Sequence, residues 1–288
     1  MKLLILGGGY TGQHLARCAQ AEGVVVHLTN RQGQAITGIS APVFAFDHNS
    51  KGKAMPLDEA AYRGITHILS TIPPDSQGQD PVIAGVLTQL ERLNLDWFGY
   101  LSTTGVYGDT QGAWVDETYP VNPQSLRSQH RVQTETTFLQ TSLPTHIFRL
   151  PGIYGPSRSI FDRLKAGKAQ HIQKPGHVFS RVHVEDIVQT IWQSMHQPTP
   201  GSIYNIADDL PSTSSSLLLE ACELLGQTAP EAIPFSSVSL NPIAASFWQE
   251  CRRVSNRKIK ADLGVQLKYP SYREGLRQIW KLEQATQG

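Results

Sequence analysis

The chain has 288 residues, 40% hydrophobic and 17% charged, with a net charge of +1. That length holds one large domain or one and a half, and the balanced charge leaves no basic footprint for a nucleic acid. No apolar run approaches the roughly 18 residues of a membrane span. Cys18, Cys222 and Cys251 form neither a C-x-x-C pair nor a disulfide set, so each is expected as a buried thiol in a cytoplasmic protein. The histidines have no H-E-x-x-H spacing, and no metal is expected.

Met1 to Leu6 is too short for a signal peptide and reads as a buried strand. Gly7-Gly8-Gly9-Tyr10-Thr11-Gly12 follows at once, the G-x-G-x-x-G of a dinucleotide turn. Gly7 suits the tight turn, Gly9 lets backbone approach a pyrophosphate, and Gly12 lets the next helix pack closely. Tyr10 and Thr11 open that helix, whose first N–H groups face the phosphates. The second strand, Val24 to Thr29, ends in Asn30-Arg31. An NAD site places an acid there for the ribose 2′-hydroxyl. Here no acid is present, and Arg31 can pair with a 2′-phosphate. The expected cofactor is NADP, with NAD second; a solvated Arg31 is the plain alternative.

Further strands are expected at Val43–Phe46, Thr66–Ser70, Trp97–Ser102 and Thr145–Arg149. A helix is expected over 82–93, with Val82, Val86, Leu87, Leu90 and Leu93 on one side, and a polar one over 124–140. After Pro151 the pattern turns irregular. A helix returns over 184–196 and a strand over 202–206, and Pro211 to Ser216 reads as a helix entry with several possible caps. The alternation predicts an α/β fold, a Rossmann-type doubly wound parallel sheet with a small C-terminal substrate lobe. The dinucleotide-binding domain would take 1–156 plus 177–208, and the substrate lobe 157–176 plus 209–288.

Several motifs stand in order along the chain: Gly7-x-Gly9-x-x-Gly12, Ser102-Thr103-Thr104-Gly105-Val106-Tyr107-Gly108, Val115-Asp116-Glu117 with Pro120 and Pro123, Arg149 to Pro156, and Arg181 to Ile187. Together they resemble the extended short-chain dehydrogenase/reductase family of NAD(P)-dependent epimerases and dehydratases. The resemblance implies a Ser or Thr that holds the substrate oxygen, here Thr103, and nucleotide contacts at Asp47, Ser70, Thr71 and Pro151. Each of those contacts has a plain reading as ordinary strand-end chemistry. It also implies a Tyr that moves the proton and a Lys four residues on. Aligned on Pro123 and Glu135, those two positions hold Arg127 and Arg131.

Arginine stays protonated, so Arg127 cannot act as a general acid at neutral pH. Spaced i and i+4, the two can share a helix face. Arg131 would replace the Lys at the ribose, and Arg127 would bind a substrate anion or a developing oxyanion; alternatively both are solvated. Tyr107, Tyr154, Asp116 and Glu117 are weaker candidates for the missing acid, and His183 reads as structural. Arg158, Arg163, Lys165, Lys168, His171 and Lys174 suit an anionic small-molecule substrate or a solvated surface equally. The two functional readings are an NADP-dependent oxidoreductase or epimerase, and an NADP-binding sensor or assembly partner without hydride chemistry. Either would be a monomer or homodimer, with no nucleic acid or membrane partner.

Overall fold

The computed structural model describes residues 1–47, 56–240 and 242–287. In chain order the strands are β1 (Lys2–Leu6), β2 (Val25–Asn30), β3 (Val43–Ala45), β4 (His67–Ser70), β5 (Trp97–Thr103), β6 (Trp114–Val115), β7 (Thr145–Leu150), β8 (Gly152–Tyr154), β9 (His171–Gln173), β10 (Arg181–His183), β11 (Ile203–Asn205), β12 (Ala232–Pro234) and β13 (Arg253–Val254). The helices are α1 (Tyr10–Ala21), α2 (Pro81–Gly85), α3 (Leu87–Leu90), α4 (Leu126–Gln140), α5 (Ile160–Lys165), α6 (Val184–His196), α7 (Ser214–Leu225), α8 (Pro242–Gln249), α9 (Arg257–Leu263) and α10 (Tyr272–Gln287).

Seven strands form one sheet in the order β11-β7-β5-β4-β1-β2-β3. β1 pairs in parallel with β2 on one side and with β4 on the other. The chain therefore reverses its winding direction at β1, and the carboxyl end of β1 is the switch point where such sheets bind ligands. Leu3, Leu4, Ile5 and Leu6 are all fully buried, as a strand covered on both faces requires. The mostly parallel, doubly wound α/β sheet is the one the alternation of the sequence predicts.

The chain divides into two compact units. The first takes Met1–Val106, Pro123–Arg149 and Val188–Tyr204; the second takes Tyr107–Asn122, Leu150–Ile187 and Asn205–Gly288. In the first unit, Leu4, Leu6, Ile68, Phe98 and Tyr100 pack with Val82, Val86, Leu90 and Phe138 as one core. The single helix expected over 82–93 is two short ones. Val86 leaves helical geometry at φ −139° and ψ −1°, next to Gly85, whose helix penalty is about 1 kcal/mol. The apolar spacing survives the break, because Val82, Val86 and Leu90 still reach the core.

In the second unit, β8 pairs with β10, β9 with β12 and β6 with β13, all parallel. Tyr154, Phe161, Ala221, Tyr272, Leu276 and Ile279 form its core. The entry to α7 is capped by Thr213, which accepts from the Ser216 N–H at 3.0 Å. One expectation fails: only Cys222 is buried, while Cys18 and Cys251 are partly exposed. Cys18 lies off the buried stripe of α1, which runs through Thr11, Gly12, Leu15, Ala16 and Ala19. Among the described residues no helix is long and apolar enough to cross a membrane, and no cluster of His, Cys, Asp or Glu suits a metal ion.

Candidate functional site

The turn after β1 has the shape its glycines suggest. Gly7 sits at φ +104°, and a Cβ there would lie 2.9 Å from Ile72 Cγ1. A Cβ on Gly12 would lie 2.5 Å from the Gly7 carbonyl and 3.1 Å from Ile5 Cγ2, so α1 packs on β1 only without one. A Cβ on Gly9 would meet nothing within 4 Å. Gly9 is the N-cap of α1, and no side chain caps the helix there. The buried Thr11 and half-buried Tyr10 begin α1. An open, uncapped helix N-terminus behind a glycine turn fits a pyrophosphate.

Neighbouring strands hold this turn from both sides. Thr29, fully buried at the end of β2, accepts from the Gly7 N–H at 2.9 Å through Oγ1. Its carbonyl accepts from the Gly8 N–H at 2.6 Å. Beyond β4, Thr71 donates through Oγ1 to the Gly7 carbonyl at 2.8 Å, and its N–H reaches the Leu6 carbonyl at 2.9 Å. Ser70, also fully buried, has a hydroxyl with no partner among the described residues.

Asn30 shapes the loop after β2. Its Oδ1 accepts from the Gln32 and Gln34 N–H groups, and its Nδ2 donates to the Gln34 carbonyl. Arg31 is 86% exposed, with Nε 3.8 Å from Asp47 Oδ1. Asp47, just past β3, thus brings a carboxylate beside Arg31. An exposed pair of this kind is worth about 1 kcal/mol or less.

The second cluster lies where β5 ends and α4 begins. Thr103 is half-buried, and its Oγ1 accepts from the Gly105 N–H at 3.1 Å. On α4 the buried residues are Ser128, Arg131, Thr134, Glu135 and Phe138. Arg131 is buried and donates through Nη1 to Tyr100 Oη at 2.8 Å and to the Leu101 carbonyl at 2.6 Å. Arg127 is exposed, and partial desolvation, then the charge of Arg131, lower its pKa. The two guanidiniums feel each other, but one is tied to β5 and the other faces outward. Behind them, the buried Glu135 accepts from Arg149 Nη2 at 2.7 Å and from Ser102 Oγ at 2.5 Å.

In the second unit, Pro151 is half-buried between β7 and β8. Tyr107 is fully buried and donates to Asn205 Oδ1 at 2.8 Å, and Tyr154 donates to the Ser271 carbonyl. Both phenols are engaged in packing. Glu117 accepts from the Asn205 N–H at 2.6 Å, and burial raises its pKa. Asp116 closes a turn on Thr118, whose hydrogen bonds lower its pKa. His183 is fully buried, its ring 4.0 Å from that of Tyr269. The basic cluster is partly committed: Lys165 pairs with Glu283 at 2.8 Å, and Lys174 donates to the Trp248 carbonyl.

Sequence reasoning missed Ser128, Glu135 and Arg149. The signal was available only as a helix with polar residues at helical spacing, Ser128, Arg131 and Glu135, where apolar ones were sought.

A protein of unknown function from Silicibacter pomeroyi has a solved structure that superposes with a TM-score of 0.87 at 42% identity, covering 98% of this chain and 99% of that one. The dTDP-glucose 4,6-dehydratase of Bacillus anthracis, solved with NAD, matches at a TM-score of 0.77 and 16% identity over 100% and 97% of the two chains. The UDP-glucose 4-epimerase of Thermotoga maritima, solved with UDP-glucose, matches at 0.78 and 19% over 100% of both. No curated protein matches. The sequence profile of the NAD dependent epimerase/dehydratase family matches residues 3–207, a span that holds both the glycine turn and the junction of β5 with α4, and the chain belongs to that family.

Proposed function

We propose that this protein binds NADP and carries out epimerase/dehydratase-like oxidoreductase chemistry on a small anionic carbonyl or hydroxyl compound. Residues 1–156 and 177–208 would serve the dinucleotide, and the lobe of 157–176 and 209–288 the substrate. The cofactor supplies hydride transfer when bound; the chain supplies binding and orientation. Gly7, Gly9, Tyr10, Thr11 and Gly12 would hold the pyrophosphate, with Ser70, Thr71 and Pro151 along the rest of the dinucleotide. Thr103 would bind the substrate oxygen. The carrying observation is the junction of β5 and α4, where the Thr103 hydroxyl lies at a strand end beside a helix whose first turns bear the exposed Arg127 and the buried Arg131. The positive charge of the exposed Arg127 beside that strand end favours an anion. The protein would work in the cytoplasm as a monomer or homodimer.

The NADP preference rests on Asn30 and Arg31. Asn30 is occupied by its own turn, and Arg31 is held loosely enough to turn to a 2′-phosphate. A fluorescence titration with NADPH and NADH tests this. NADPH should bind at least about tenfold tighter, and Arg31→Ala should remove that margin, since hydrogen bonds to charged groups are worth about 1.5–3 kcal/mol. Equal affinities would overturn it, and tighter NADH binding would favour NAD, for which Asp47 beside Arg31 offers a carboxylate.

A second reading, a dinucleotide-binding sensor without hydride chemistry, is favoured by one observation: an exposed arginine, Arg127, at the position of the family's proton-moving Tyr. Turnover that appears only in Arg127→Tyr would support that reading. Turnover in the natural chain that Arg127→Ala abolishes would support the first.

A further inference from the structure

The proposed hydride chemistry lacks a proton carrier, and the helix face that meets β5 supplies a candidate. α4 starts at Leu126, and in its first turn it is Ser128 that is buried, while Arg127 is exposed. A Cβ on Gly105 would lie 2.6 Å from Ser128 Oγ and 3.4 Å from Thr103 Oγ1. Both hydroxyls therefore lie beside Gly105, and Ser128 Oγ can sit so close only because residue 105 has no Cβ. Ser128 Oγ accepts from Ser125 Oγ at 2.9 Å. Ser125, the half-buried N-cap of α4, accepts in turn from the Ser128 N–H at 3.2 Å. Among the described residues nothing accepts the Ser128 hydroxyl proton, so that proton remains available to an incoming oxygen.

Resting on the oxidoreductase reading above, we propose that Ser128, backed by Ser125, is the hydroxyl relay that delivers the proton to a substrate carbonyl held by Thr103, in place of the missing tyrosine. In the reducing direction the carbonyl carbon receives hydrogen and two electrons from the reduced nicotinamide, which is thereby oxidised. The carbon–oxygen π bond breaks, and the oxygen takes the Ser128 proton. Ser128 takes the proton of Ser125, and Ser125 takes one from solvent. One solvent proton is consumed, both serines end as they began, and no free alkoxide forms when the transfers are concerted. The positive charge of Arg131, buried on the same helix face as Ser128, stabilises the oxygen as its negative charge develops.

The test uses the full chain with NADPH, glyoxylate and 4-carboxybenzaldehyde as carbonyl probes, and oxamate as an unreactive mimic. Oxamate should quench NADPH fluorescence in the ternary complex, and Ser128→Ala should weaken oxamate binding about tenfold, the worth of one lost hydrogen bond. NADPH affinity should stay unchanged, which also reports an intact fold. Turnover should fall about 100-fold or more in Ser128→Ala, as for loss of a general acid, and recover in Ser128→Thr. The natural chain should give a curved proton inventory in mixed light and heavy water. Ser125→Asn, which keeps a cap but cannot pass a proton, should make it linear. Oxamate binding and turnover that survive Ser128→Ala would overturn the relay and leave the oxidoreductase reading standing. A natural chain that binds NADPH but neither oxamate nor either carbonyl would overturn both.

Discussion

Replacing Arg149 by Met removes one half of a buried ion pair and leaves the other in place. The Arg149 and Glu135 side chains are each 4% exposed, with 2.7 Å between Nη2 and Oε2. Arg149 Nε adds bonds of 3.2 Å to both carboxylate oxygens. Without the guanidinium, Glu135 keeps, among the described residues, only the Ser102 hydroxyl. Breaking a buried pair from one side costs about 3–5 kcal/mol, a large part of a domain's roughly 5–15 kcal/mol. At about 1–3 kcal/mol per molar urea, the unfolding midpoint followed by circular dichroism should drop by more than about 1 M. Arg149→Met with Glu135→Leu should recover most of the loss, because no carboxylate is then stranded. The remaining deficit should be about 1 kcal/mol for Ser102, which loses its acceptor. A single variant within about 1 kcal/mol of the natural chain, or a double no better than the single, would refute the reasoning.

Gly12→Ala should destabilise the chain by about 1–3 kcal/mol through overpacking and should weaken NADPH binding in the same fluorescence titration, because its methyl would press on the Gly7 carbonyl. Acid should weaken the fold through His146. Burial, against bonds to the Phe98 and Pro144 carbonyls, lowers its pKa from 6.5 to about 4. The unfolded chain therefore binds more protons between those values, and this histidine's contribution should fall by about 3 kcal/mol as pH drops from 6.5 to 4; a stability difference between the natural chain and His146→Gln that is the same at pH 6.5 and pH 4 would contradict this. Asp208 acts in the opposite direction. Burial raises its carboxyl from 3.8 to about 8 despite Arg181, so its contribution is intact at low pH and is lost as pH rises toward 8. Asp208→Asn should flatten the alkaline limb of the pH–stability curve, and an unchanged limb would count against that assignment.

The glycine turn was legible in the sequence because its constraints are steric and local. Gly7 answers to the residues after β4 and Gly12 to β1 and the Gly7 carbonyl, and the spacing alone marks them. The seven strands of the main sheet were legible because most of them are buried apolar runs, such as Leu3 to Leu6; the short strands of the second unit, two or three residues each, were not. Arg31 beside Asp47 was not legible. It follows from the register that sets Asn30 against Ala45, which brings together residues far apart in sequence. The inner face of α4 was hidden for another reason. Periodicity arguments look for apolar stripes, and here the buried stripe is built from Ser128, Arg131, Thr134 and Glu135, and the burial of Arg131 and Glu135 is made tolerable by hydrogen bonds to β5 and β7 that no local pattern announces.

The two threonines that grip the glycine turn have a kinetic consequence. Thr29 and Thr71 fix Gly7 from opposite sides, so the loop does not have to be ordered when a dinucleotide arrives. A receptor already in shape forfeits little entropy on association, and capture should proceed at the encounter rate for a rigid surface, with no slow isomerisation following it. Removing the Thr29 hydroxyl would leave the proposed contacts to the nucleotide intact and still weaken binding, since a loop that wanders must be recovered from its other conformations each time it is used. A conservative change at Thr29 would then be felt as slower capture of the nucleotide, even though its side chain is not among those proposed to touch it.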